Sequence, residues 1–149
     1  MCMSNVRAPT PRPDTTIYYK VVDKSFGMYY PALLSQPGYD SSGTRECSVP
    51  YYFEPRAEPF TVESYIERGG YGWHAYVSLE DARCELDHLC CYYDEYPWKL
   101  AGELCIIEVL LGGVFAEGVQ HRGRFPDVTD RPSVAARYQT VIREVSNKE

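Results

Sequence analysis

Residues 69–91 read GGYGWHAYVSLEDARCELDHLCC, and this stretch carries a break, a strand and a helix in that order. Gly69 and Gly70 punctuate the chain, and Gly72 to Val77 then reads as a strand with Trp73 and Ala75 on one face and His74 and Tyr76 on the other. Ser78 stands as the N-cap of the helix, with Asp81 at the position where a capping box prefers Glu or Gln. Leu79, Ala82, Leu86, Leu89 and Tyr93 recur at i, i+3, i+7, i+10 and i+14, which predicts a helix from Ser78 to Tyr93 with one narrow apolar stripe. A strand feeding one main helix, with further strands on both sides, predicts an α+β domain. Its sheet is expected to be mixed or mostly antiparallel and packed by that helix.

Toward the C-terminus, Glu103 to Leu111 is apolar on both faces apart from Glu108, as a central strand is. Gly112 and Gly113 are expected to turn the chain, Val114 to Glu117 to continue the sheet, Gly118 to Pro132 to form a loop, and Val134 to Val145 to close the fold as a long strand. Toward the N-terminus, Thr61 to Arg68 suits a short helix, and Ser35 to Pro59 a long loop with Tyr51, Tyr52 and Phe53 as aromatic anchors. Phe26 to Leu34 reads as extended, broken at Pro31, and Ile17 to Val22 (IYYKVV) as the first strand. Residues 1–16, rich in Pro and Arg, are expected to be a mobile arm, with residues 17–149 a single domain.

The chain of 149 residues has the size of one domain, long enough to bury about 70% of the surface its unfolded form exposes. Its 44% hydrophobic content and 24% charged content exclude wholesale disorder. No apolar run reaches the length of a membrane span, and the first residues carry no secretory-type apolar region, so a cytoplasmic or nuclear location without membrane association is expected. The six cysteines are therefore read as thiols. The net charge of -6 is concentrated: Ser78 to Glu108 holds 8 acids against 2 bases, and the rest of the chain balances. Val119 to Arg143 carries Arg122, Arg124, Arg131, Arg137 and Arg143 against Asp127 and Asp130. Such polarity suits a small anionic ligand or a protein partner, and is too weak for nucleic-acid binding by counterion release.

Cys84, His88 and Cys91 fall at i, i+4 and i+7 and could offer zinc three tetrahedral ligands. On a helical wheel they lie at about 140°, 180° and 120° from Leu79, opposite the apolar stripe, and no pair has the C-x-x-C spacing of closed structural sites. Zinc is not the expectation; side chains on the outer helix face are. His74 either lines an aromatic cleft covered by the Tyr-rich loop or is a hydrogen-bonded structural histidine. The sequence contains no G-x-S-x-G, G-x-x-x-x-G-K-[ST] or H-E-x-x-H. The pairs Glu80/Asp81 and Asp94/Glu95 belong on a solvated helix face and exit.

GWHAYVSLEDA, ELCIIEVLLGGVFAEG and AARYQTVIREV, taken in order, resemble small phage- and virus-type proteins of unknown function. The same order resembles, more distantly, the catalytic core of ADP-ribosyltransferases of the poly-ADP-ribose polymerase type. In that likeness Gly72-Trp73-His74-Ala75 stands at the glycine-led strand and Arg137-Tyr138 at the catalytic Glu-Tyr, while Tyr18-Tyr19-Lys20 replaces the His-Gly that binds the nicotinamide ribose. With both the His and the Glu missing, the likeness implies a pseudoenzyme. It places His74, Tyr76, Arg137, Tyr138 and Tyr19 around a cleft in which NAD or a related nucleotide is the conceivable ligand, and no catalytic residue or cofactor is expected. The resulting expectation is a non-catalytic binding or regulatory module, such as a viral or phage accessory protein, acting on a protein partner or a small anionic ligand. A nucleotide-acting enzyme and a structural subunit are the alternatives.

Overall fold

The computed structural model describes residues 3–32, 37–51, 53, 58–122 and 129–146. Tyr52, Arg124 and Asp127, singled out above, lie outside the described residues, as do parts of the expected 35–59 loop. The domain is α+β, with a seven-stranded antiparallel sheet and one main helix. Strands β1 (Ser4–Arg7), β2 (Ile17–Ser25), β3 (Met28–Pro31) and β4 (Thr44–Glu46) precede helix α1 (Val62–Glu67). Then come β5 (Trp73–Tyr76), α2 (Leu79–Glu95), a 3-10 turn at Pro97–Lys99, and the two long strands β6 (Glu103–Arg122) and β7 (Thr129–Glu144).

The helix forms where its caps and stripe predict. The Ser78 hydroxyl accepts the Asp81 backbone N–H at 3.1 Å, while the Asp81 carboxylate pairs with Arg131 at 3.2 Å instead of closing the capping box. Ala82, Leu89 and Tyr93 are buried, and Leu79 and Leu86 pack beside them against Ile106 and Val21. Glu85, at the margin of the apolar stripe, is buried as well. Helix α1 starts at a full capping box between Thr61 and Ser64.

The sheet departs from expectation in its second half. Gly112 and Gly113 do not turn the chain; β6 runs through them as one strand of 20 residues. Gly113 takes φ 60° just before a bulge between Val114 and Ala116, and any Cβ there would meet the Arg137 Cβ at 3.1 Å. The first half of β6 pairs with β2, the second half with β1, and both halves with β7. The expected 118–132 loop is largely ladder, since Gly118 to Arg122 pair with Ser133 to Thr129. Phe26 is not extended strand but, with Gly27, the two-residue hairpin turn between β2 and β3, both at positive φ (53° and 72°), a backbone twist that suits a tight hairpin. The expected long loop supplies β4, which borders β7 at Arg45↔Gln139.

The N-terminal segment is bound to the sheet rather than free. Met3 is buried, its N–H donating to the Tyr65 hydroxyl at 2.8 Å, and β1 pairs with β6. The nearly buried Glu117 carboxylate gathers Arg7 at 3.3 Å, Arg12 at 3.7 Å and the Thr10 N–H. A buried acid needing counter-charges fixes an arm that composition alone suggests is loose.

Candidate functional site

The pairings β2–β6, β6–β7, β7–β5 and β5–β2 form a closed circuit, and its weakest link decides where the site lies. β2 and β5 share one pair, Tyr19↔Tyr76. Continuing that register would set Lys20, Val21 and Val22 opposite Ala75, His74 and Trp73, but the strands splay and those pairs do not form. All six residues line a cavity of about 560 Å³ that occupies the gap. Pro37, Gly38, Tyr39 and the β4 segment Arg45–Glu46 with Cys47 wall it on one side, and Glu85 and Leu89 of α2 with Gln120 on the other.

Strand alternation puts Lys20 in phase with Tyr18 and Val22, which belong to the central core with Tyr39, Ile107 and Val109. Its ammonium therefore points among rings, 5.1 Å from the Trp73 ring centre and 5.6 Å from that of Tyr39. It donates to the Gln139 side-chain oxygen at 2.8 Å. That partner is a neutral amide, and among the described residues no carboxylate forms an ion pair with Lys20. Glu46 lies in the cavity wall, but its carboxylate is engaged by Arg137 at 2.9 Å. Loss of water without a counter-ion pushes the Lys20 pKa from 10.5 down to about 7. Trp73 and Tyr39 meet edge to face at 5.2 Å, and the Trp73 indole N–H donates to the Arg45 carbonyl at 3.1 Å, so the aromatic wall is braced. Arg45 pairs with Asp40 at 2.7 Å, while its Nε is buried without a hydrogen-bond partner.

His74 is satisfied on both ring nitrogens. Nδ1 lies 3.1 Å from the Gly72 carbonyl, which can only accept, so Nδ1 carries the proton and Nε2 accepts from the Tyr65 hydroxyl at 2.7 Å. The Met3 N–H, the Tyr65 hydroxyl and His74 thus form one chain tying β1, α1 and β5. Withdrawal from water pushes the His74 pKa down to about 3, so the ring is neutral at any ordinary pH. Burial likewise raises Tyr39 to about 12 and Cys47 to about 11.

The residues expected to converge do so only in part. His74 and Tyr76 line the cavity, and the Tyr76 hydroxyl donates to Gln120 at 3.3 Å. Tyr19 closes the end of the gap through its pairing with Tyr76, with its side chain turned toward α2 among Tyr76, Ala82 and Ile106. Arg137 and Tyr138 do not face the cavity. Arg137 reaches across to Glu46 of β4 at 2.9 Å, lies over the Phe60 and Tyr138 rings, and is not among the residues that line the cavity. Sequence reasoning missed Lys20, Gln139, Tyr39 and Trp73.

Cys84, His88 and Cys91 lie on the outer part of α2 and do not form a metal-holding group; among the described residues no cluster of three or more His, Cys, Asp or Glu side chains has that arrangement. The five described cysteines are thiols. No described helix is long and apolar enough to cross a membrane. No protein-family model, characterised protein or solved structure matches this chain.

Proposed function

We propose that this protein is a binding module whose cavity between β2 and β5 takes a small anionic ligand with an apolar, preferably aromatic, body. One observation carries the reading: the Lys20 ammonium sits in a cavity of about 560 Å³ with a neutral amide, Gln139, as its hydrogen-bond partner. A cation withdrawn from water without a counter-charge is costly, and an anion entering the cavity supplies that charge. The walls supply the rest, since Tyr39 and Trp73 offer ring faces and edges and Val22, Ala75 and Leu89 offer apolar area. The Arg45 Nε–H is a second donor without a partner on the same wall. A carboxylate or phosphate monoester on a ring-sized body satisfies both demands. The splayed strands give it room without breaking the β2–β6 or β5–β7 ladders.

No nucleophile–base pair directed at a common point emerges from these residues. His74 is held neutral between Gly72 and Tyr65, and Cys47 is held as a thiol. These features favour binding over turnover, with the bound ligand or a partner that senses it as the regulated element. Ligand-detected NMR with benzoate and its neutral counterpart benzamide tests it. Saturation transfer to benzoate that Lys20→Met removes, with none to benzamide, is the expected result. Equal transfer to both compounds, or transfer to benzoate that Lys20→Met leaves intact, overturns it.

A further inference from the structure

We propose that Lys20 is also a nucleophile that captures an aldehyde or ketone within the cavity as an imine, so that the ligand class includes carbonyl compounds bearing an anionic group. This inference rests on the cavity reading above and adds covalent capture to it. The amine is confined beside the Tyr39 and Trp73 rings and held by the Gln139 oxygen, which accepts one N–H and leaves the remaining nitrogen valences directed elsewhere. No carboxylate ion-pairs with it among the described residues, so no counter-charge there holds the proton on the nitrogen. A near-neutral pKa leaves a large fraction of the amine uncharged at pH 7 to about 8, the form that attacks. The charged and titratable groups that face the same cavity are His74 and Tyr76 from β5, Tyr71 just before it, Arg45 and Glu46 from β4, Cys47, Tyr39 and, from α2, Glu85. Of these, His74, Tyr39 and Cys47 are displaced to about 3, 12 and 11, well clear of the Lys20 range.

The chemistry balances without any oxidant or reductant. The Lys20 nitrogen lone pair adds to the carbonyl carbon, and a proton passes from nitrogen to the alkoxide oxygen to give a carbinolamine. The hydroxyl then leaves with a second proton as water, and a C=N bond remains. While the Lys20 nitrogen is uncharged or bonded to carbon, the anionic group turns to the Arg45 Nε–H on the same wall; the aromatic walls hold the organic body, and water re-entering the gap reverses the capture.

The test is reductive trapping of the intact protein with p-formylbenzoate and cyanoborohydride between about pH 6 and pH 9, read by intact mass and peptide mapping. The expected outcome is one secondary-amine adduct per chain on Lys20, with a rate that rises through pH 7. Lys24 and Lys99, whose pKa values are raised by Glu144 and by Tyr92, react at least tenfold more slowly at pH 7 and serve as internal controls in the same molecule. Lys20→Arg keeps the cation and loses the adduct, and p-hydroxymethylbenzoate, which has no carbonyl, competes with labelling of the wild type. Labelling of Lys20 no faster than Lys24 or Lys99 overturns the nucleophile. If p-hydroxymethylbenzoate still binds in that event, the anion-binding reading survives alone. Fast Lys20 labelling without competition by that compound upholds the nucleophile and overturns the anion-binding reading.

Discussion

The Lys20 ammonium and the Gln139 side-chain oxygen lie 2.8 Å apart, joining β2 to β7 across the interior of the sheet with no acid between them. Replacing that amide by an acid supplies the missing counter-charge. Gln139→Glu is therefore expected to raise the Lys20 pKa above 7 and to weaken binding of benzoate at least tenfold, because the cavity then carries its own anion. Lysine side-chain NMR titration and a binding isotherm check both halves. An unchanged Lys20 pKa with a folded variant contradicts the placement of the amine.

The same amine shapes stability against pH. Its pKa is near 10.5 in the unfolded chain and about 7 in the folded one, so above pH 7 the unfolded chain holds the extra proton and stability rises with pH. Below pH 7 both states are charged and the cost of holding the half-buried cation away from water is present. Above about pH 9 the raised pKa values of Cys47 and Cys105 work in the opposite direction, because the unfolded thiols ionise first. The window from pH 7 to 9 isolates Lys20. Denaturant melts are expected to show wild-type stability climbing across it and Lys20→Met nearly flat.

Helix α2 gives a mutational contrast. Leu89 is 1% exposed, and Leu89→Ala should cost about 2–5 kcal/mol by leaving a cavity against Ala32, Val21 and Leu104. Ser78→Ala removes the cap and should cost about 1 kcal/mol. Cys84→Ser, on the outer face, should cost less than either. Chemical denaturation of the three variants ranks them, and a Cys84→Ser loss equal to that of Leu89→Ala contradicts the helix orientation.

Arg137, which sequence reasoning assigned to a ligand cleft, pairs with Glu46 and lies over the Phe60 ring without lining the cavity. Combined with Glu46→Gln, so that no carboxylate is set free in the cavity wall, Arg137→Ala is accordingly expected to leave benzoate affinity within about twofold of wild type, a difference of about 0.4 kcal/mol. A tenfold loss would bring the family-based placement back.

The differences between sequence and structure have physical causes. Helix α2 was legible because a single face is buried, so its period stands out in residues 79–93. Period-2 alternation likewise separated Trp73 and Ala75 from His74 and Tyr76. Gly112 and Gly113 misled because two glycines read as a turn, whereas here they let a long strand bend past Tyr138 and Arg137. β4 was hidden in a Pro-rich stretch because a three-residue edge strand has too little pattern to register. The Lys20 signal was present in IYYKVV, where the lysine stands in phase with Tyr18 and Val22. Finding it required treating both faces of β2 as covered, which is evident only once β5, β6 and the Tyr39 segment are seen to enclose it. Arg137 was drawn in by a likeness to another family's catalytic position, and local sequence does not reveal which side of a twisted strand faces a cavity.

The most direct test of an uncompensated Lys20 as the anion receptor is calorimetric titration with benzoate in two buffers of different ionisation enthalpy, across about pH 6 to 9. His74, Tyr39 and Cys47 are displaced out of this range, whereas Lys20, at about 7, changes charge within it. The expected result is one benzoate per chain, affinity falling as pH rises above 7, uptake of close to one proton per ligand at about pH 8, and loss of all three features in Lys20→Met. Binding that is independent of pH, takes up no proton and persists in Lys20→Met would contradict it.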